Sequence, residues 1–405
     1  MSKSCRLITA VLALMMADCS PSWAQVSDGV VKLGVLTDMN GVYSDLTGKG
    51  SILATEMAVA DCLKAECAGM TIEVLSADHQ NKADIAVNIG REWIDRQGVD
   101  ALVDMSNASI QLAMPTLLKD KNRVGLFQGG TARLTGDACE PDHIVQWMWD
   151  TYVQVAGLAN RLTKSGTTWY LVTADYAFGK QLEVDTQALV AARGGVFAGA
   201  VRHAFPASDM SSQILTAQAS GAEYIALANA GNDTVLGVKT ARDFGLLTGG
   251  KQKLVAFLLT LRDVKSLGLE ASQGTLLTEG FYWDLDDRTR AFSQRFEAKN
   301  GAMPSMIQAG IYSSVRHYLK AVVAAKTDEA KAVIRKMRDL PIDDEVVRNA
   351  RLRADGRMVH DYYVFRVKTP AESKGPWDLY ALEATVPGDQ AFRPMDAKLC
   401  TKIGN

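Results

Sequence analysis

The sequence offers little that would support chemistry. No G-x-S-x-G nucleophile elbow and no H-E-x-x-H zinc helix occurs anywhere along its 405 residues. The stretch Thr47-Gly48-Lys49-Gly50-Ser51 approaches a phosphate-binding loop, but the glycine required five places before Gly48 is Tyr43. No two cysteines stand at C-x-x-C spacing and the five histidines lie far apart, which argues against a metal site. A formal net charge of −2 leaves no electrostatic footprint for nucleic acid or an anionic membrane. Charge blocks, short repeats and low-complexity segments are missing too. The expectation is a protein that is not an enzyme and carries neither metal nor cofactor.

Only one long apolar run is present, and it opens the chain. Lys3 and Arg6 precede an uncharged stretch from Leu7 to Ala17, and Ser22-Trp23-Ala24 follows. These are the parts of a secretory signal in their usual order. The run falls short of the ~20 residues a membrane-spanning helix needs. Asp18 stands before Cys19, where a lipid-anchor motif wants a small neutral residue. Residues 1–24 are therefore expected to be removed, leaving an exported chain that starts at Gln25 and works in the periplasm.

Export bears on the six cysteines. Cys5 and Cys19 leave with the signal. Cys62, Cys67, Cys139 and Cys400 remain, an even number in an oxidising compartment, which favours disulfides. Their arithmetic leaves the pairing open. The expectation is a local clip, Cys62–Cys67, with Cys139–Cys400 tying the tail to the body. Closing so long a loop adds about 4 kcal/mol or more in the chain-entropy model.

From Val31 to Phe127 short β-rich runs alternate with helical patterns. Strands are expected at Val31–Leu36, Thr71–Ser76, Ala101–Asp104 and Val124–Phe127, with helices at Lys49–Lys64, Ala83–Gln97 and Ile110–Asp120. A second series follows. Helices Asp150–Ser165, Phe178–Arg193, Ser211–Ser220 and Asp233–Phe244 alternate with strands Thr168–Val172, Val196–Arg202, Tyr224–Ala228 and Leu254–Leu258. Such alternation predicts an α/β protein with parallel sheets covered on both faces. Two series need two cores, with a boundary near Trp147–Thr151. A β-rich segment, Thr275–Trp283, leads to helices Thr289–Lys299 and Ile307–Ala325, which need a sheet to cover, and the first lobe is the candidate. Near the end, Arg348–Arg353 and Met358–Lys368 flank the hairpin signal Asp355-Gly356, and Trp377–Glu383 reads as one more strand.

Open α/β sheets bind ligands at the carboxyl ends of their strands. Here those ends carry small polar residues: Asn40–Asp45, Ser106–Ser109, Gln128–Thr131, Asp175–Gly179 and Asn229–Asp233. Any one loop reads as helix capping. Five of them, in two lobes, point to a ligand-binding cleft.

At Gly41–Asp45, Asp78-His79-Gln80, Ser106–Gln111 and Asp175–Gly179 the chain resembles the periplasmic solute-binding proteins of ABC importers, in the type I branch related to branched-chain amino acid- and amide-binding proteins. The resemblance implies two doubly wound lobes joined by a three-crossing hinge. Lobe 1 is expected to take residues 25–149 and 282–345, and lobe 2 residues 150–281 and 346–405 with a C-terminal extension. It also implies a monomer that binds a small molecule and hands it to permease subunits. Carried over by position, Ser109, Gly129 and Thr131 would hold a ligand carboxylate and Tyr176 would cover the ligand. Asn229 replaces a family tyrosine, and Leu259–Arg262 offers no acid where amino-acid binders hold the ammonium. Tyr43, Ser106 and Tyr282 complete the candidate ligand-binding set. Tyr43, Tyr176, Tyr282 and Trp283 suggest a flat ligand, a carboxylate or amide without a free amino group. The alternatives are a periplasmic sensor feeding a receptor kinase, which would use the same cleft, and an exported enzyme.

Overall fold

The computed structural model describes residues 26–246 and 250–403. The expected signal, its cleavage site and the start at Gln25 lie outside the described residues.

The first series comprises β1 (Val30–Thr37), α1 (Gly48–Leu63), β2 (Thr71–Asp78), α2 (Ala83–Glu92), β3 (Ala101–Asp104), α3 (Ala108–Asp120), β4 (Val124–Phe127) and β5 (Ile144–Gln146). Its strands form a parallel sheet in the order β2-β1-β3-β4-β5. Every residue of β3 and β4 is buried, which is why both are short runs with no polar alternation, apolar but for Asp104 at the carboxyl end of β3. A π-helical turn, Trp93–Gln97, closes α2 and presses the Trp93 ring onto β1. Gly34 makes the contact possible, because a Cβ there would lie 2.6 Å from that ring.

The second series begins with α4 (Thr151–Leu162), β6 (Thr168–Ala174), α5 (Ala177–Ala192), β7 (Val196–His203), α6 (Ser211–Ala219) and β8 (Tyr224–Ala228). It continues through α7 (Asn232–Asp243), β9 (Lys253–Ala256), α8 (Leu261–Leu267), α9 (Leu269–Ser272) and β10 (Leu276–Glu279). Helices α10 (Asp287–Asn300), α11 (Met306–Ala325) and α12 (Ala330–Asp339) follow. The chain ends in β11 (Arg351–Leu352), β12 (Met358–Val359), β13 (Tyr362–Val367), β14 (Tyr380–Val386) and α13 (Gly388–Ala391). The second sheet runs β14-β13-β10-β9-β8-β6-β7. It is mixed rather than wholly parallel: β6 to β10 are parallel, while β13 runs against β10 and β14 against β13. Strands β13 and β14 are consecutive in the chain and pair without a crossover, which requires them to be antiparallel.

The helices after β10 cover the first sheet. Helix α11 packs against α1, β3 and β4, and α12 packs against α11. Several expected elements differ in extent. The segment expected over Thr275–Trp283 is strand only at Leu276–Glu279, and Met358–Lys368 is broken in two at His360-Asp361. The buried ring of His360 explains the break, since its Nδ1 lies 2.7 Å from the Asp361 carbonyl and its Nε2 2.8 Å from that of Met148.

The link between β5 and α4 is pinned at several points. Arg357 is fully buried and donates to the carbonyls of Trp149 (2.9 Å) and Trp147 (3.1 Å), with the Asp150 carboxylate 3.5 Å away. Asp150 in turn caps α4 by accepting from the Val153 N–H. Both expected disulfides are present, with Cα separations of 5.0 Å for Cys62–Cys67 and 5.7 Å for Cys139–Cys400. Helix α1 stops at Leu63, and the turn beyond it lets the Cys67 N–H bond the Cys62 carbonyl, which brings the two sulfurs together. No described helix is long and apolar enough to cross a membrane.

Candidate functional site

The carboxyl ends of the two sheets face a common cavity. The loop after β1 supplies Tyr43, Leu46 and Thr47, and the turn after β3 supplies Ser106 and Ala108. Gly130 and Trp149 complete that side. From the second sheet come Tyr176 and Phe178 after β6, Ala230 after β8 and Leu258 after β9, while Ile307 enters from α11. Histidine, cysteine and lysine are absent from this lining.

Aromatic rings dominate the walls. Tyr176 stacks on Phe205 with centroids 4.2 Å apart, and Tyr43 lies 5.7 Å from the same ring. Trp149 meets Phe178 edge-on at 5.8 Å. Such faces favour a flat or apolar ligand body. The hydroxyls of Tyr43 and Tyr176 are hydrogen-bonded to each other across the cavity. Burial pushes both phenols above their ordinary range, so both stay protonated. One proton is used within the pair, and the other hydroxyl keeps its own for a ligand acceptor. The backbone spans the cleft as well, since the Asn232 N–H donates to the Val42 carbonyl at 3.3 Å.

Ser106 is placed by strain. Asp104 and Met105 both have positive φ, 79° and 55°, at a cost of about 1–3 kcal/mol each. The buried Asp104 carboxylate accepts from Ser51 Oγ at 2.8 Å and from Ser106 Oγ, which anchors the turn. Desolvation raises the Asp104 pKa, opposed by these hydroxyl donors.

Gly129 and Gly130 allow close packing. A Cβ at Gly129 would overlap the Trp149 indole, and one at Gly130 would overlap the Gln111 amide. The Trp149 Nε1–H is buried and has no acceptor among the described residues. A buried donor left open in a cavity-lining residue calls for a partner.

The sequence-derived candidates separate into groups. Tyr43, Ser106 and Tyr176 line the cavity together. Gly129 and Thr131 flank the lining Gly130, and Thr131 caps the turn Ala132–Thr135 by accepting from the Arg133 N–H. Ser109 is not among the lining residues, and its N–H is held by Asn107, the cap of α3. Asn229 is buried beside the lining Ala230, with its amide 3.3 Å from His203 Nε2 and its Oδ1 accepting from Thr234. Tyr282 lies among Phe365 and Tyr380, and its hydroxyl bonds the Trp377 carbonyl at 3.2 Å. Trp283 donates to that carbonyl as well, so both rings pack the C-terminal strands.

Sequence reasoning did not single out Trp149, Phe178, Phe205, Leu258 or Ile307. It also passed over Asp233, at the start of α7. One oxygen of this buried carboxylate accepts from the Ala207 N–H at 3.0 Å, and the other has no hydrogen-bond partner among the described residues. His203 Nδ1 lies 3.8 Å from it. Desolvation raises the Asp233 pKa, and its charge is felt by Tyr43 and Tyr176. Among the described residues no cluster of three or more His, Cys, Asp or Glu could hold a metal ion.

Residues 30–376 match the family model of the periplasmic binding proteins. A periplasmic binding protein of Burkholderia mallei is 43% identical, with a TM-score of 0.87 over 93% of this chain and 100% of its own. A branched-chain amino acid ABC transporter ligand-binding protein of Burkholderia xenovorans is 40% identical, with a TM-score of 0.80 over 90% of this chain and 97% of its own. A solute-binding protein of R. palustris in complex with 4-hydroxybenzoate shares the fold at 19% identity, with a TM-score of 0.77 over 89% of this chain and 97% of its own. No curated protein matches the sequence.

Proposed function

This chain belongs to the periplasmic binding proteins, and on that premise we propose that it captures a small organic solute between its two sheets and delivers it to an ABC permease. The observation that carries the reading is the shared cavity, whose walls come from both sheets and meet through the Tyr43–Tyr176 hydroxyl pair. The two sheets are the cores of the two lobes in this reading, which divide at Trp147–Thr151. The chain acts as a monomer and turns nothing over. Its aromatic walls select a ligand with a flat or apolar body, and the 4-hydroxybenzoate complex of the R. palustris protein offers one model.

One observation favours a second reading, an amino acid ligand. Asp233 places a buried carboxylate within electrostatic reach of both tyrosines, where an ammonium could pair with it. The B. xenovorans relative, named for branched-chain amino acids, points the same way.

The test is to denature protein purified from periplasmic extract and identify the released solute by mass spectrometry. Cellular uptake of that solute should be lost when the gene is deleted. Conversion of the solute by the purified protein would overturn the reading. N-terminal sequencing of the same preparation should begin at Gln25, and protein retaining Met1 would refute the processing expected here.

A further inference from the structure

A second cavity opens beside the aromatic one, and the two share Thr47. Its character is different. Lys49, the second residue of α1, and Arg262, the second residue of α8, both line it. One cation thus comes from the first-sheet side and the other from the helix that follows β9. Neither forms an ion pair among the described residues. Asp45 is the one carboxylate in the lining, and it is exposed. Gln308 adds a further donor. Its side chain is 2% exposed, and its Oε1 is occupied by the Ser305 N–H at 2.9 Å, which leaves the amide nitrogen as the end that faces the cavity. That amide lies over Gly50, where a Cβ would overlap it.

Lys49 is exposed and Arg262 half-buried, so water solvates both, but two cations and an amide donor around a shared space form a locally positive site that attracts an anion. A carboxylate is the group that a guanidinium, an ammonium and an amide N–H hold together by charge-assisted hydrogen bonds. Resting on the binding function proposed above, we infer that this polar cavity is the anion subsite of the cleft. The ligand is then a small aromatic carboxylate. Its ring lies among Tyr43, Trp149 and Tyr176, and its carboxylate is held by Arg262, Lys49 and the Gln308 amide. Charge rather than shape therefore separates it from a neutral analogue.

The experiment compares benzoate and 4-hydroxybenzoate with benzamide and 4-hydroxybenzamide, by calorimetry at low and high salt. The acids should bind at least tenfold more tightly than their amides, and the ratio should shrink as salt rises. In Arg262→Gln and in Lys49→Gln the acid-to-amide ratio should fall toward one, with melting curves confirming the fold. Asp45→Asn keeps the site intact and removes its opposing charge, so it should strengthen acid binding several-fold. Equal affinity for acid and amide, or a ratio that survives both cation substitutions, would overturn the subsite. Binding of leucine with no binding of either aromatic class would also overturn it, while leaving the transport reading standing. Failure of any solute in a broad panel to bind would instead bring down the transport reading itself.

Discussion

Gly129 lies directly beneath the indole of Trp149, so close that any side chain at position 129 would overlap the ring. The glycine therefore sets the position of the lining Trp149 although it does not itself line the cavity. Gly129→Ala should push the indole into the cavity. Overpacking of this kind costs about 1–3 kcal/mol of stability, and ligand affinity should fall at least tenfold. Thermal melting and calorimetry on one preparation check both effects, and unchanged affinity would show that Trp149 does not shape the site.

Tyr43 and Tyr176 predict a pH-insensitive clasp. Because burial holds both phenols protonated, affinity should stay flat from neutral pH to about pH 9. Phenylalanine at either position removes the bond across the cavity and should weaken binding by roughly fivefold, the equivalent of about 1 kcal/mol. Titrations of Tyr43→Phe and Tyr176→Phe at neutral and alkaline pH measure it. A wild-type affinity that drops with an apparent pKa near 8 would contradict the assignment.

Asp100 should make stability depend on pH in an unusual direction. Burial lifts its pKa from 3.8 to about 7, although the Lys32 N–H donates to one oxygen at 2.8 Å. The folded protein therefore keeps a proton that the unfolded chain has released, and this group's contribution improves as pH falls from about 7 toward 4. The gain is at most roughly 1.4 kcal/mol per pH unit. His79, His317 and His360, pushed down to about 4 by burial, act in the opposite sense below about pH 6.5. A variant comparison separates the two. Asp100→Asn should be more stable than the parent at pH 8 in urea unfolding, and the difference should shrink steadily as pH falls toward 4. An Asn variant that is weaker than the parent across this whole range would refute the assignment.

The two disulfides should contribute unequally. Cys139–Cys400 closes a sequence separation of 261 residues, and Cys62–Cys67 one of 5. Chain entropy gives the long loop about 5–6 kcal/mol and the short one about 2 kcal/mol. Removing the long bridge with Cys139→Ser and Cys400→Ser should lower the melting temperature more than removing the short one. Mass mapping of a non-reducing digest should recover both pairs, and four free thiols in exported protein would defeat both.

Local signals carried much of the fold into the sequence. The limits of β3 and β4 follow from apolar runs bounded by polar residues, and α3 begins where Asn107 can cap it. Strand β5, with three residues, is too short to show a period, and the isolated α12 gave no alternating partner. The antiparallel return of β13 depends on which sheet edge is free, and that is a tertiary fact. The site divides in the same way. Tyr43, Ser106 and Tyr176 were legible because they follow strand ends directly. Trp149, Phe205 and Ile307 reach the cleft or its border only through packing between distant segments, and the buried Asp233 was hidden within a loop that reads as capping.

The central claim is that the cleft between the two sheets is where the solute sits. The most direct measurement is a crystal structure of the protein with the solute that co-purifies from periplasmic extract. The account predicts density for that solute enclosed by Tyr43, Trp149 and Tyr176, with contacts from both sheets. Density seated elsewhere, such as the surface groove between Trp283 and Trp377, with the aromatic cavity empty, would contradict it.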